Sequence, residues 1–170
     1  SFKLDGGAMM GSVPKVLWNK TNPCDDNNRI DLAMRCMLLD DGENIVLIEA
    51  GIGDKNSQKF KDMFSIKQHN DALSNTLSKV GYHKENITHV ILTHLHFDHA
   101  GGATEFDEGG NIIPSFPNAK YYISQNNFDA AINPNPKDRA SYLKDNFMCL
   151  IENDVLKIVP ENSSILKGIS

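Results

Sequence analysis

The residues best suited to chemistry in this sequence form one short segment, Thr-His-Leu-His-Phe-Asp-His-Ala-Gly-Gly, at positions 93–102. The segment places three imidazoles and one carboxylate within six consecutive positions, in His94, His96, Asp98 and His99. Neutral imidazole nitrogen and carboxylate oxygen are the ligands that zinc and similar first-row divalent ions prefer. Because four such donors so close together would be costly without a compensating charge, the segment predicts a metal site.

The flanking residues distinguish this segment from an ordinary histidine-rich loop. The apolar run Val90, Ile91 and Leu92 precedes it, and Gly101 and Gly102 end it. Such a setting is typical of a strand whose end turns into a loop that carries a site. A lone histidine is more often a satisfied polar group or a surface group, but here the spacing and the context together favour bound metal.

The order of the side chains indicates two groups of ligands. Alternate side chains of an extended segment face the same way, so His94 and His96 share one side of the chain. Leu95 and Phe97 then point back toward a core. The alternation breaks after Phe97, which lets the two remaining donors serve a neighbouring ion.

The spacing of these four donors resembles the His-x-His-x-Asp-His signature of the metallo-β-lactamase-fold hydrolases. Residues 4–11, with Val13-Pro14-Lys15 and Trp18, resemble the amino-terminal segment of the branch that contains the quorum-quenching lactonases. Residues 48–55 resemble a strand end that in this family commonly has the sequence Asp-Thr-Gly. The resemblance covers almost the entire chain and implies an α/β fold, the αββα sandwich, of which this chain looks like the first half.

The resemblance also implies how the donors are shared. His94 and His96 would hold a first ion, and Asp98 and His99 a second, with zinc as the expected metal and manganese or iron as alternatives. Two divalent ions about 3.5–4 Å apart can hold a bridging hydroxide and polarise a carbonyl or phosphoryl oxygen, so that hydrolysis needs no side-chain nucleophile. Asp98 is the expected catalytic residue, since it could orient the attacking water or pass on its proton.

Two departures from the family pattern concern the geometry and the completeness of the site. Glu49 stands where the family usually has Asp, and its extra methylene would either bring this outer carboxylate toward the metal-binding loop or force it aside. The family completes its site with later histidines and an aspartate, whereas the last histidine here is His99. We therefore expect residues 1–170 to form a single metallo-β-lactamase-like domain that is incomplete at its carboxyl-terminal end and inactive alone.

Composition narrows the class of protein. A net charge of -5 argues against a nucleic-acid binder, because affinity for a phosphate backbone depends on clustered Lys and Arg. No apolar stretch approaches the roughly 20 residues that span a bilayer, so we expect no membrane association and a cytoplasmic location. The three cysteines are expected to be reduced. The solvated side of a helix is the expected place of Lys55, Lys59, Lys61 and Lys67.

Local patterns predict strands that alternate with helices, which indicates an α/β fold. A strand and a long loop are expected through residue 28, and an antiparallel hairpin at 31–39 and 44–50 around an Asp-Gly turn. Helices are predicted at 57–64, 70–80, 124–132 with Ser124 as a cap, and 138–150. Further strands are predicted at 89–93, 120–124 and 155–159.

The predicted substrate is a small lactone, ester or amide. Among these substrates a lactone is the first choice, because four apolar side chains could form a wall for its acyl chain. The four are Met9, Met10, Trp18 and Phe97, and each is equally suited to filling a gap in the core. Two alternatives stay open, an iron-dependent redox enzyme on the same fold and a non-catalytic, metal-binding half-domain that needs a partner chain. A homo-oligomer, or pairing with a second half, is the expected assembly. His69 and His83 are expected at the surface.

Overall fold

The computed structural model describes residues 1–67 and 70–169. The chain folds into two compact units, Ser1–Met34 with Asn56–His69 and Arg35–Lys55 with Asn70–Ser170. All four predicted metal ligands lie in the second unit. The expectation of a single domain stays a prediction.

The first unit begins with strand β1 (Phe2–Asp5), which is followed by two short helices, α1 (Gly6–Met10) and α2 (Lys15–Trp18). The long loop predicted through residue 28 is therefore wrong in part. The Asp5 carboxylate accepts a hydrogen bond from a backbone N–H in the first turn of α1 and so caps that helix, a local signal that the loop-rich composition obscured.

The same unit contains a two-stranded antiparallel sheet. Strand β2 (Arg29–Leu32) pairs with β1, so the strand predicted over 31–39 is wrong at its start, where residues 31 and 32 belong to a different sheet. Helix α3 (Gln58–Met63) confirms the helix predicted at 57–64. The Arg29 guanidinium donates hydrogen bonds to the last two carbonyls of α3, which ties this helix to β2.

The second unit contains a five-stranded mixed sheet. Its order is β3 (Met37–Asp40), β4 (Ile45–Ile48), β5 (His89–Ile91), β8 (Lys120–Ser124) and β9 (Leu156–Val159). The β3–β4 pair is antiparallel and the other three pairs are parallel. A separate antiparallel pair, β6 (Thr104–Phe106) and β7 (Ile112–Pro114), lies between β5 and β8 in the chain. The predicted hairpin is confirmed between residues 37–40 and 45–48, but residues 33–36 of its predicted first strand are not in a strand. The strands predicted at 89–93, 120–124 and 155–159 are confirmed.

The α-helices of the second unit, within residues 70–169, are α4 (Ala72–Lys79), α5 (Phe97–Ala100), α6 (Gln125–Ile132) and α7 (Met148–Glu152). The helices predicted at 70–80 and 124–132 are confirmed. The Ser124 hydroxyl accepts a hydrogen bond from a backbone N–H in the first turn of α6, as the predicted cap requires. Within residues 1–67 and 70–169, none of the helices has the length and apolar character needed to cross a membrane.

The single helix predicted at 138–150 is wrong. The chain instead makes two 3-10 turns, Arg139–Ser141 and Lys144–Asn146, before α7 begins. The side-chain oxygen of Asn135 accepts hydrogen bonds from the two backbone N–H groups at 137 and 138, which offers the chain a turn in place of a helical start. Tyr142 consequently lies between the two turns rather than on a helix.

One face of the five-stranded sheet packs into the core. Leu47, Val90, Tyr121 and Leu156 stand in register across four strands and are at most 8% exposed. The opposite face is less well covered, since Met37 of β3 is 56% exposed. The chain therefore offers one well-buried sheet face and one partly open one.

The predicted exposure of histidines and lysines and the predicted state of the cysteines can be compared with the structure. His83 is exposed as predicted, whereas His69 lies outside the described residues. Lys59 is exposed on α3, as predicted. Lys55 precedes that helix and is partly buried, and Lys67 follows it, so the predicted place of these two lysines on a solvated helix face is wrong. The cysteines are free thiols, as predicted: Cys24, Cys36 and Cys149.

Candidate metal centre

The histidine-rich segment continues from the end of β5 and passes into α5. Leu95 and Phe97 are buried, at 0% and 4% exposure, whereas His94 and His96 are half-buried. The predicted alternation of core-facing and site-facing side chains is therefore confirmed. His99 lies on α5, because the helix begins at Phe97 and the alternation ends there.

Three imidazoles gather at this place. The ring centroid of His94 lies 4.6 Å from that of His96 and 4.0 Å from that of His99. Burial lowers the pKa of both His94 and His96, and the neighbouring His99 adds to the lowering in each. Both rings are therefore biased toward the neutral form, which is the form that binds metal.

Glu49 lies beside this cluster, at the end of β4. One carboxylate oxygen accepts a hydrogen bond of 3.0 Å from the backbone N–H of Thr93. The other, Oε2, lies 3.0 Å from Nδ1 of His99, within ion-pair distance but outside the angles of a regular hydrogen bond. Of the two arrangements predicted for the longer side chain, the structure has the one in which the carboxylate turns toward the histidine-rich segment.

The charges of this pair support each other. Burial alone would raise the pKa of Glu49, but its contacts with His99 and Thr93 outweigh burial and hold the pKa below its ordinary value. Glu49 in turn raises the pKa of His99 against the opposing effect of burial. Glu49 also has a left-handed backbone, with φ of 67°, which costs a residue with a Cβ about 1–2 kcal/mol. The surrounding contacts maintain a conformation that Glu49 would not adopt on its own.

The turn that follows Glu49 packs backbone to backbone against the turn that follows His99. The backbone N–H of Ala50 donates to the carbonyl of His99 at 2.9 Å, and that of Gly102 donates to the carbonyl of Gly51 at 3.0 Å. A Cβ on Gly101 would lie 2.2 Å from the carbonyl oxygen of Ile52, so only glycine permits this approach. The glycines thus fix α5 against the end of β4.

Lys55 strengthens the same junction, a role that the sequence did not reveal. Its ammonium group donates hydrogen bonds to the carbonyls of Gly101 at 2.5 Å and of Thr104 at 2.6 Å. Burial lowers its pKa to about 8. No local pattern separates Lys55 from the exposed lysines nearby, because its partners are 46 and 49 positions away in the chain.

Tyr142 is a second residue near the site that the sequence did not reveal. Its ring makes an edge contact with the imidazole of His96, with 4.5 Å between the centroids. Burial raises the pKa of its phenol, and the nearby Asp138 adds to this effect. The prediction of one continuous helix at 138–150 gave no reason to place a tyrosine here.

The donor types fit a divalent ion, but the described part of the chain supplies an incomplete set. Nε2 of His96 is buried and has no hydrogen-bond partner among residues 1–67 and 70–169, as expected of a nitrogen reserved for a metal. Asp98 Oδ2 lies 3.4 Å from Nε2 of His99. Across those same residues, no three His, Cys, Asp or Glu side chains are placed to hold one ion. The ligand assignments and the catalytic role of Asp98 stay predictions.

Comparisons with known proteins agree with this geometry. The family model of the metallo-beta-lactamase superfamily matches residues 32–145. An N-acyl homoserine lactonase of Bacillus cereus is 28% identical over 151 residues, which cover 84% of this chain and 53% of that relative. An N-acyl homoserine lactonase of Bacillus thuringiensis is 26% identical over 149 residues. The chain thus spans about half the length of the curated relatives it matches.

Solved structures also superpose on this chain. A probable metal-dependent hydrolase from Staphylococcus aureus superposes with a TM-score of 0.84 at 29% identity, over 98% of this chain and 58% of that one. AidC, a dizinc quorum-quenching lactonase, superposes with a TM-score of 0.60 at 23% identity, over 83% of this chain and 48% of that one, and so shares the fold. The predicted α/β fold class is confirmed, with the chain corresponding to about half of the known fold. The chain belongs to the metallo-beta-lactamase superfamily.

Proposed function

We propose that this chain is the metal-binding, amino-terminal part of a hydrolase that acts on a small lactone, ester or amide. The observation that carries the proposal is the gathering of three half-buried imidazoles, one of which, His96, has a buried Nε2 with no hydrogen-bond partner among the described residues. A nitrogen in that position loses its bond to water and regains nothing unless an ion binds it.

Two divalent ions are proposed, with His94 and His96 toward one and Asp98 and His99 toward the other. Zinc is the first choice, supported by the dizinc lactonase that shares the fold, and manganese or iron are the alternatives. When bound, such ions polarise a carbonyl oxygen and lower the pKa of water, which is the chemistry that hydrolysis requires.

The side chains of this chain have separate tasks in that reaction. Glu49 holds Nδ1 of His99 and so leaves Nε2 of the same ring for an ion. Asp98, whose side chain is 18% exposed, can accept a proton from the attacking water and return it to the leaving group. Leu95 and Phe97 are buried, so they exclude water from the side of the segment that faces the core. The chemistry is thereby confined to the open side of the site.

A lactone is proposed as the substrate because two curated relatives carry the name N-acyl homoserine lactonase. The predicted apolar wall supports this choice less well. Trp18 and Phe97 are buried, at 5% and 4% exposure, so they offer little surface to an acyl chain, while Met9 is 49% exposed. We further propose a small-molecule substrate, no nucleic-acid partner given the net charge of -5, and a cytoplasmic location.

A non-catalytic half-domain that pairs with a partner chain is the second candidate. It is favoured by the finding that the described residues offer no third ligand for either ion. Catalytic sites of zinc hydrolases usually combine three protein ligands with one open position for each ion. Under this alternative the chain would bind metal weakly and would turn over substrate only with its partner.

Metal analysis combined with a hydrolysis assay on the full-length protein tests the proposal. We expect close to two zinc ions per chain, and cleavage of an N-acyl homoserine lactone and of a simple aryl ester that stops when a chelator removes the metal. A single iron with no hydrolysis would favour the redox alternative. Protein that binds metal weakly and cleaves neither substrate would favour the half-domain.

A further inference from the structure

Each of the three imidazoles contacts a neighbour that can set its orientation, and for His96 that neighbour is aromatic. Thr93 Oγ1 lies 2.9 Å from Nδ1 of His94, and Glu49 Oε2 lies 3.0 Å from Nδ1 of His99. His96 instead meets the ring of Tyr142 at an interplanar angle of 62°, with 4.5 Å between the ring centroids. Edge-to-face contacts of this kind favour a defined angle between two rings.

The backbone that leads into Tyr142 is fixed by local hydrogen bonds. The backbone N–H of Tyr142 donates to the carbonyl of Arg139 at 3.3 Å. Arg139 in turn donates its N–H to the carbonyl of Asn135, and the Asn135 side chain also bonds to Asp138 at 2.5 Å. The turn from 135 to 142 therefore gives the tyrosine a fixed starting point.

The tyrosine ring also contacts the hydrophobic core. Tyr142 is half-buried and packs against the hydrophobic core of the second unit. Its ring thus contacts both that core and the imidazole of His96, so a movement of the ring would disturb both contacts. A ring anchored in this way can transmit the rigidity of the core to the imidazole beside it.

We propose that Tyr142 is the positioning residue of His96, whose ring it holds so that the buried Nε2 faces the metal. The inference rests on the proposed metal-binding function. It assigns the role to the aromatic ring and not to the phenol hydroxyl, since the contact that the structure shows is between the two rings. Phenylalanine should then replace tyrosine at this position without loss, and an aliphatic side chain should not.

The test measures metal affinity and metal geometry in the full-length protein. Zinc affinity is obtained by competition with a chromogenic chelator, and the geometry around the ion from the visible absorption spectrum of the Co²⁺-loaded protein. We expect Tyr142→Leu to weaken zinc binding about 10- to 100-fold and to change the cobalt spectrum, the range typical of residues that orient a ligand. Tyr142→Phe should keep both the affinity and the spectrum of the wild type.

Tyr82→Leu is the matched control, because Tyr82 is also half-buried against the same core but bonds to Asp40, away from the histidines. It should lower the melting temperature and leave zinc affinity unchanged. If Tyr142→Leu does not fold, Tyr142→Met, which fills a similar space with a flexible apolar chain, takes its place with the same expected loss.

Three results would overturn the inference: an aliphatic variant at 142 that binds zinc like the wild type, a loss in Tyr142→Phe equal to that in Tyr142→Leu, or an equal loss in Tyr82→Leu. These results are distinct from failure of the proposed function. If the wild type itself binds neither zinc nor cobalt, the proposed function and the inference fail together. If it binds both and the variants at 142 do not differ from it, only the inference fails.

Discussion

Glu49 Oε2 lies 3.0 Å from Nδ1 of His99, while Oε1 of the same carboxylate accepts a hydrogen bond from the backbone N–H of Thr93. One side chain at the end of β4 therefore contacts both the first residue and the last histidine of the donor segment. Because Nδ1 of His99 is taken by the carboxylate, Nε2 is the nitrogen left to face an ion. The extra methylene of glutamate, relative to aspartate, is compatible with this arrangement.

Replacing Glu49 by Gln should weaken zinc binding about 10- to 100-fold, because the amide keeps the size of the side chain but loses the charge that orients His99. Affinity measured by chelator competition checks this. Glu43→Gln is the control, since Glu43 is exposed in the turn between β3 and β4. Equal zinc affinity in Glu49→Gln and the wild type would remove the orienting role from Glu49.

Asp98 gives a second prediction, on turnover. Asp98→Ala should lower kcat for lactone hydrolysis about 100- to 10,000-fold, the usual contribution of a positioned acid or base. Metal content is measured alongside, to separate loss of an ion from loss of proton transfer. Asp26→Ala, a change at an exposed carboxylate in the first unit, should leave kcat unchanged. Activity retained by Asp98→Ala on both lactone and ester substrates would reject the role.

The sequence predicted those features that depend on neighbouring residues. The inward positions of Leu95 and Phe97 and the cap at Ser124 follow from periods of two to four residues. The strands of the five-stranded sheet were predicted for the same reason. Each of these signals is complete within a few positions, so tertiary contacts had little to add.

Features that depend on distant contacts were not predicted. Lys55 donates hydrogen bonds to carbonyls 46 and 49 positions away, but the residues next to it in the sequence are those expected around a surface lysine. Residues 31 and 32 have the same strand-forming pattern as the residues that follow, but they pair with β1, a strand whose position the local pattern does not give. Tyr142 contacts His96 from a segment of 3-10 turns, where the sequence pattern predicted a continuous helix. In each case a tertiary partner overrode the local pattern.

A third prediction concerns stability. Gly101→Ala should lower the free energy of unfolding by about 1–3 kcal/mol, because the new Cβ would meet the backbone carbonyl of Ile52 at 2.2 Å and backbone cannot rotate away. Urea denaturation measures the change. Gly109→Ala is the control, since its nearest contacts, at 3.1 Å and 3.3 Å, are with side chains that can move. A Gly101→Ala protein as stable as the wild type would show that the two turns are not tightly packed.

The fourth prediction is a pH dependence that originates at Lys55. Burial lowers its pKa to about 8 in the folded protein, against 10.5 for an ordinary lysine. Between these two values the unfolded chain binds more protons at this residue than the folded chain does. The free energy of unfolding contributed by Lys55 should therefore rise as the pH is raised from about 8 toward 10.5, and should be independent of pH below that window.

Urea denaturation of the wild type and of Lys55→Met at several pH values from 7 to 10 checks this sign. The difference in unfolding free energy, wild type minus variant, should be constant up to about pH 8 and then increase, because only the wild type sheds a proton from the buried ammonium. Lys59→Met, a change at an exposed lysine of α3, should give a difference that stays flat throughout. A difference for Lys55→Met that is flat or falls above pH 8 would mean that the two carbonyls of Gly101 and Thr104 stabilise the charged lysine more than burial disfavours it.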